Sequence, residues 1–369
     1  MVLTRGDDYP IHQTADPIAY AGTDRNFYDR YYFNGYAPGV GEDGFFAAAL
    51  GVYPHLNVID ASFCWLMDGK QVNLHASRGL AMERMDTQVG PIRIEVIEPL
   101  KKLRITVDAP DQGMRADLTI TGRAFPLEEP RFTRRNGPRV LMDVTRLTQN
   151  GSYAGWVEVD GARTDVTGWI GTRDRSWGVR PIGAPDAQPP NPPIVPQFFW
   201  LWAPCAMEGG DLYFHTNDDE HGRLWNRRAA WRPLGGGIAD EHHYDAANYE
   251  VRWRQGSRQA QAAGLTLTAA HGKTRVEFDI GQTFMMLGLG YGHPTWGHGR
   301  AHEGEAVERE DFVVADLDPM QPHHLHIQAS VGVTMTLPDG TVRRGKGVLE
   351  QLAIGPHAPS GFTGLLDPA

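Results

Sequence analysis

The chain has 369 residues, a formal net charge of -10, 41% hydrophobic and 22% charged residues, and two cysteines. That length suits two globular domains, and an acidic chain without long basic runs is a poor partner for a nucleic-acid backbone. Cys64 and Cys205 lack C-x-x-C spacing and exclude a disulfide framework, and no apolar stretch approaches a membrane-spanning length.

Met1 to Tyr20 hold Asp, His and Pro in place of a basic start and an apolar run, so no secretory signal is read and the cytoplasm is expected. Tyr31, Tyr32, Asn34, Tyr36 and Tyr53 then form an aromatic polar group. Phe45 to Tyr53 suits a buried strand or short helix, with a helical stripe at Phe45 to Leu50. Period-two alternation follows at Ile92 to Val96, Leu103 to Val107 and Leu118 to Thr121. Arg131, Arg134, Arg135 and Arg139 read as an ordinary surface patch.

A strand at Val166 to Ile170 leads into Gly171-Thr172-Arg173-Asp174-Arg175-Ser176-Trp177-Gly178. The Pro-rich segment Pro181 to Pro193 comes next and marks the domain boundary. The domains expected are 1–183 and 197–369, joined by a linker at 184–196. Beyond it, Phe198 to Met207 suits a second buried strand or short helix. Tyr213, His215 and Asn217 share the polar face of a strand, opposite Leu212 and Phe214. Alternation returns at Leu265 to Thr268, Val276 to Ile280 and Val331 to Leu337, while His323, His324 and His326 read as surface. The chain is therefore expected to be all-β, built of short antiparallel strands. Asp160, Gly161 and Gly168 map onto Asp339, Gly340 and Gly347 at one offset of 179 residues, which suggests two similar barrels or convergent hairpin chemistry.

Two blocks carry chemistry. In the first, burial by Trp169 and Trp177 would keep Asp174 protonated as a general acid; the bland alternative pairs Asp174 with an arginine and makes Trp177 a barrel plug. The second is Tyr291-Gly292-His293-Pro294-Thr295-Trp296-Gly297-His298-Gly299. The preceding Gly288-Leu289-Gly290 is no dinucleotide loop, because Pro294 and Gly297 forbid the helix that would hold a pyrophosphate. His293, His298 and His302 stack on no helical face, so acid–base work with Glu303 or Glu305 as orienting carboxylate is preferred to a metal. Nucleophile elbows and phosphate loops are absent from the sequence, leaving cofactor-free proton chemistry or binding alone.

Asp174-Arg175-Ser176-Trp177-Gly178, after a Trp-x-Gly strand, resembles the Asp-x-x-Trp-Gly signature of the AttH/carotenoid hydratase-like proteins, a lipocalin-related superfamily. The second block, with Gly304-Glu305 downstream, is similar to the C-terminal domain of an uncharacterised branch of it. The resemblance runs from about Asn26 to Leu352. It implies two consecutive lipocalin-like antiparallel β-barrel or half-barrel domains with a ligand cavity between or within them. It also implies bulky apolar substrates handled without a redox cofactor, as in hydratases of terpenoid double bonds and cyclising enzymes. Only Asp174 and Trp177 align with a hydratase's catalytic set.

The expectation is a cofactor-independent lyase, hydratase/dehydratase or isomerase acting on a terpenoid, steroid or aromatic. Asp174 is the expected proton donor, with His293, His298 and His215 as catalytic partners. Substrate contacts are expected from Tyr213, Trp177, Trp200, Trp202, Trp296, Tyr291, Asn217, Tyr32 and Asn34, with Arg175 and Glu305 as orienting groups. No metal, cofactor, nucleic acid or membrane span is expected, and self-association is left open. The alternatives are a non-catalytic carrier of an apolar ligand and a metal-dependent enzyme using His293, His298 and His302.

Overall fold

A computed structural model describes residues 3–20, 22, 24–39, 43–188 and 190–369. Met1 and Val2 of the N-terminal stretch and Pro189 of the Pro-rich segment lie outside them. The first half supplies β1 (Phe27–Tyr36), β2 (Phe45–Tyr53), β3 (Val58–Met67), β4 (Lys70–Gly79), β5 (Gln88–Val89), β6 (Ile92–Glu98) and β7 (Lys102–Ala109). It continues with β8 (Met114–Gly122), β9 (Leu127–Glu128), β10 (Phe132–Asn136), β11 (Arg139–Val159), β12 (Ala162–Asp165) and β13 (Ile170–Val179). The second half supplies β14 (Phe198–Met207), β15 (Gly210–Asp218), β16 (Leu224–Pro233), β17 (His242–His243) and β18 (Ala246–Trp253). Last come β19 (Ala260–Ala269), β20 (Gly272–Met285), β21 (Ala306–Val313), β22 (Ile327–Thr336) and β23 (Val342–Ile354). Among the described residues no helix is long and apolar enough to cross a membrane.

These strands form two curled antiparallel half-barrel sheets with one connectivity. The first runs β21-β4-β3-β2-β1-β13-β11-β8-β7-β6-β5, and the second β17-β16-β15-β14-β23-β22-β20-β19-β18. In each, the closing strand lies beside that sheet's opening strand: β13 sits between β1 and β11, and β23 between β14 and β22. Asp160-Gly161 turns β11 into β12, and Asp339-Gly340 turns β22 into β23. One strand breaks the separation of the halves: β21 pairs with β4 on the first sheet, Glu310 opposite Asn73.

Each sheet curls over its own apolar core. Phe33, Leu50, Phe63, Ile105 and Leu118 belong to the first, and Leu201, Phe214, Leu267, Val333 and Leu349 to the second. A third cluster lies between the sheets and joins Tyr32, Tyr36 and Phe45 to Trp200, Trp202 and Phe284. The helical stripe expected at Phe45 to Leu50 is strand. Phe46, Ala48 and Leu50 fill the first core while Phe45, Ala47 and Ala49 face the seam. A strand buried on both faces loses its alternation, and a continuous apolar run then mimics a helix.

Candidate functional site

The seam is assembled rung by rung. Arg30, Ser176 and Arg146 lie side by side on β1, β13 and β11; Tyr32, Asp174 and Thr148 form the next rung, and Asn34, Thr172 and Asn150 the third. Residues in one rung of an antiparallel sheet share a face, and i+2 keeps it. The first sheet therefore presents a polar surface to the second. Across from it, His215, Trp202, Glu350 and Gln328 share a rung of β15, β14, β23 and β22.

Hydrogen bonds join the two faces. Tyr32 donates to Gln328 Oε1 at 2.6 Å and Asn34 Nδ2 to the same oxygen at 3.0 Å. Gln328 Nε2 in turn donates to Glu350 at 2.6 Å, and Trp200 Nε1 and His326 Nε2 both reach Glu350 Oε1 at 2.8 Å. Burial works to raise the Glu350 carboxyl, but His326 and these donors outweigh it and the net shift is downward. Glu129, just past β9, takes Arg146 Nε at 2.8 Å, Thr148 Oγ1 at 2.6 Å and Trp202 Nε1 at 3.2 Å. Burial there is outweighed chiefly by the Arg146 guanidinium, which holds the carboxyl at about 2. His215 Nδ1 lies 3.4 Å from Glu129, and burial pushes its imidazole down toward the neutral form.

Asp174 differs from both glutamates. No hydrogen bond reaches its carboxyl among the described residues, and burial pushes it up to about 6 against the opposing pull of Arg146 and Arg30. The indoles expected to do this are elsewhere. Trp169 stacks on Trp65 in the first core, 5.7 Å between centroids, and Trp177 is 37% exposed on the opposite face of β13. Arg175 also points away, pairing with Asp29 and lying 3.9 Å over the Tyr31 ring. The second glycine of the first block is structural. Gly178 has φ +133°, and a Cβ there would lie 2.1 Å from Asp143 O.

A cavity of about 470 Å³ opens at one end of the seam. Phe132, Leu141, Met142, Phe198, Leu352 and Ile354 give it apolar walls, and Ile182 of the Pro-rich segment with Ile194 and Pro196 just after it close one side. Arg134, Arg146, Arg180, Trp200, Asn217, Tyr291, His326 and Glu350 supply its polar lining. Asp174 lies one rung deeper than Arg146 on the same face, about 7 Å along the strand.

The expected residues thus divide. Trp200, Asn217 and Tyr291 line the cavity; Tyr32, Asn34, Asp174, Trp202 and His215 lie in the seam beside it. Tyr213 is buried further along, its hydroxyl accepting the Asn150 N–H at 3.1 Å. His298 packs behind Tyr291, with Nε2 2.9 Å from Leu289 O, and burial drives it well below the usual imidazole range. His293 and Trp296 leave the site altogether, because the second block is the crossing from the second sheet to β21 on the first. Trp296 stacks on His75 and His302, 5.4 and 4.1 Å between centroids. Glu305 is exposed, and the carboxylate beside His293 is Glu310, at 3.5 Å.

His293, His298 and His302 do not converge. The group that does is His75, His293 and Glu310, whose candidate ligand atoms lie within 4.8 Å of one another. Its donor set fits a cation poorly. His293 Nδ1 accepts N–H groups from Thr295 at 3.1 Å and Trp296 at 2.8 Å, so the ring proton sits on Nε2, the atom aimed at Glu310. His324 and His326, read as surface, are both buried, and Arg134 of the presumed surface patch lines the cavity. Glu129, Arg146, Gln328 and Glu350 were not singled out from sequence, and Arg180 only as one of the arginines that could pair with Asp174. For Arg146, Gln328 and Glu350 the signal was a charged or amide side chain inside a strand, as in Val348-Leu349-Glu350-Gln351-Leu352.

The fold is lipocalin-like: two antiparallel half-barrel sheets that meet across a buried seam. Matching structures include the AttH protein of Nitrosomonas europaea, with 14% identity and a TM-score of 0.52 over 93% of this chain and 98% of that one. CghA in complex with Sch210972 matches with 11% identity and a TM-score of 0.50 over 89% of each chain. A comparison with curated proteins finds no match. The chain belongs to DUF8625, a family of unknown function whose model covers residues 3–363.

Proposed function

We propose that the chain is a cofactor-independent acid–base enzyme acting on a bulky apolar small molecule held in the cavity between the sheets. The carrying observation is Asp174: a carboxyl without a hydrogen-bond partner, held near pKa 6 beside an apolar-walled cavity. An acid titrating there keeps a usable proton close to neutrality. Asp174 gives that proton to one carbon of a double bond. Either water adds to the other carbon and returns a proton to the carboxylate, or a neighbouring C–H bond loses one to it. The first course is hydration, the second isomerisation, and dehydration reverses the first. Trp200 and Tyr291 wall the substrate, while the Tyr32–Gln328–Glu350 chain fixes the spacing of the two sheets behind it. His326 is the imidazole that lines the cavity, His215, pushed toward the neutral form by burial, lies in the seam beside it, and His293 has no part.

The carrier reading draws on one observation: Asp174 lies a rung below the cavity floor and is not itself part of the wall. Proton exchange separates the two. Incubating the protein in D₂O with a panel of terpenoids, steroids and polycyclic aromatics, followed by mass spectrometry, should show deuterium incorporation or product, lost in Asp174→Asn. Ligands that bind and return unlabelled and unchanged would establish the carrier.

A further inference from the structure

Resting on the reading of the cavity as a ligand site, we infer that its occupant carries an anionic head group, a carboxylate or similar planar oxyanion, and that Arg180 is the counter-ion. The charges around the cavity support this. In a chain of net charge -10, the lining holds Arg134, Arg146 and Arg180 against one carboxylate, Glu350. Two of these four are already engaged: Arg146 pairs with Glu129, and Glu350 takes His326, Gln328 and Trp200. Arg134 donates to Gln197 O at 3.0 Å and lies 5.5 Å over the Trp225 ring.

Arg180 differs, its side-chain partner being the Tyr291 hydroxyl. Among the described residues no carboxylate lies within ion-pair distance of it, and its Nε and Nη2 are buried without an acceptor. Tyr28 covers one face of the guanidinium at 4.3 Å and the Tyr291 hydroxyl is hydrogen-bonded to it, so the Nε–Nη2 edge is the part left without a partner. A second buried cation adds to the imbalance: Arg30 donates to the Tyr291 hydroxyl at 2.5 Å, and its own Nε has no partner. Unpaired buried charge is costly, and an orphaned donor in a folded protein calls for a partner that binding would supply. A guanidinium edge matches a planar oxyanion through two parallel hydrogen bonds. Ile182 beside Arg180 and Leu352 and Phe198 beyond it would take an apolar body, so the fitting ligand is an amphipathic organic acid.

The test is equilibrium binding at pH 8 of lauric acid and dodecanol, two probes of one chain length differing in head-group charge, followed by calorimetry and tryptophan fluorescence. Dodecyl phosphate serves as a third arm for a bulkier anion. Wild type should bind the acid about tenfold or more tightly than the alcohol, since a hydrogen bond to a charged group adds roughly that factor. Arg180→Gln should erase the preference and leave dodecanol affinity within about twofold, and Arg180→Lys should keep part of it. Thermal unfolding of both variants guards against misfolding; should Arg180→Gln not fold, the lysine variant must show a reduced preference. Equal wild-type affinity for acid and alcohol, or a preference surviving Arg180→Gln, overturns the inference and leaves the enzyme reading intact. A preference for phosphate over carboxylate overturns the planar oxyanion. Failure of wild type to bind any probe overturns the cavity as an apolar ligand site, and the proposed function with it.

Discussion

The two closing strands invite comparison. β13 and β23 occupy the same place in their sheets, and each aims one carboxylate into the seam, Asp174 from the first and Glu350 from the second. Three donors converge on Glu350 and its carboxyl is shifted downward, whereas Asp174 has none and is pushed up to about 6 by burial. One topology thus places two acids in opposite environments. Paired carboxyls driven apart in this way have different uses: the ionised one anchors a network, and the other keeps a proton to transfer. The duplicated plan supplies two equivalent positions, and the surrounding side chains decide what each one does.

The sharpest way to break the asymmetry is to remove the proton and keep the shape. Asp174→Asn should lower turnover by about 10²–10⁴-fold, the usual contribution of a positioned acid, while ligand binding stays within a few-fold. Turnover at the wild-type level would end the donor role. The mirror change is Glu350→Ala, which leaves Trp200, His326 and Gln328 without their shared acceptor. Removing one partner from a buried charged network costs about 3–5 kcal/mol, so this variant should lose stability first and activity as a consequence, read as a lower midpoint in urea. A change in activity without any loss of stability would mean that Glu350 belongs to the chemistry.

How much of this was legible in the sequence depends on how local each signal is. Alternation in β6, β7, β8, β19, β20 and β22 reports itself, because those strands have one buried face each. β2 was ambiguous because both of its faces are buried, Leu50 in one core and Ala49 in the seam. Asp174 could be picked out from its neighbours, but the source of its burial could not. Trp177, three residues on, lies on the other face of the strand, and the groups acting on Asp174 come from β1 and β11. The second block misled for a related reason: a crossing segment places sequence neighbours in different surroundings. Tyr291 reaches the cavity while His293 reaches His75 on the first sheet. Glu129 and Glu350 acquire meaning only when the sheets meet.

A smaller effect should appear in the pH dependence of stability. The native Asp174 carboxyl holds its proton up to about 6, whereas the unfolded chain releases it near 3.8. Between those values the native state binds the additional proton, so this group's contribution favours folding at low pH and is lost as pH rises through the window. Asp174→Asn has no such term. The stability difference, variant minus wild type, should therefore climb between about pH 4 and 6 and level off above it. Its size should be on the order of 1–2 kcal/mol, discounted because Asp174 remains partly exposed. A flat difference across that range would mean that the native carboxyl titrates normally and keeps no proton for catalysis.

The smallest expected effect belongs to Trp177, and it tests the same asymmetry from the other face of β13. Its neighbours in register are Asp29 and Thr145, its side chain is 37% exposed, and neither Asp174 nor the cavity lies on its side of the sheet. Trp177→Ala should leave turnover within about twofold and cost less than about 1 kcal/mol, as substitutions away from cores and buried networks do. The matched change inside the seam, Trp200→Ala, removes a cavity wall and a donor to Glu350 together, so activity and stability should fall jointly. If Trp177→Ala instead reduced turnover as strongly as Trp200→Ala, the functional face of β13 would be the one that carries Arg175, and the seam would lose its claim to the chemistry.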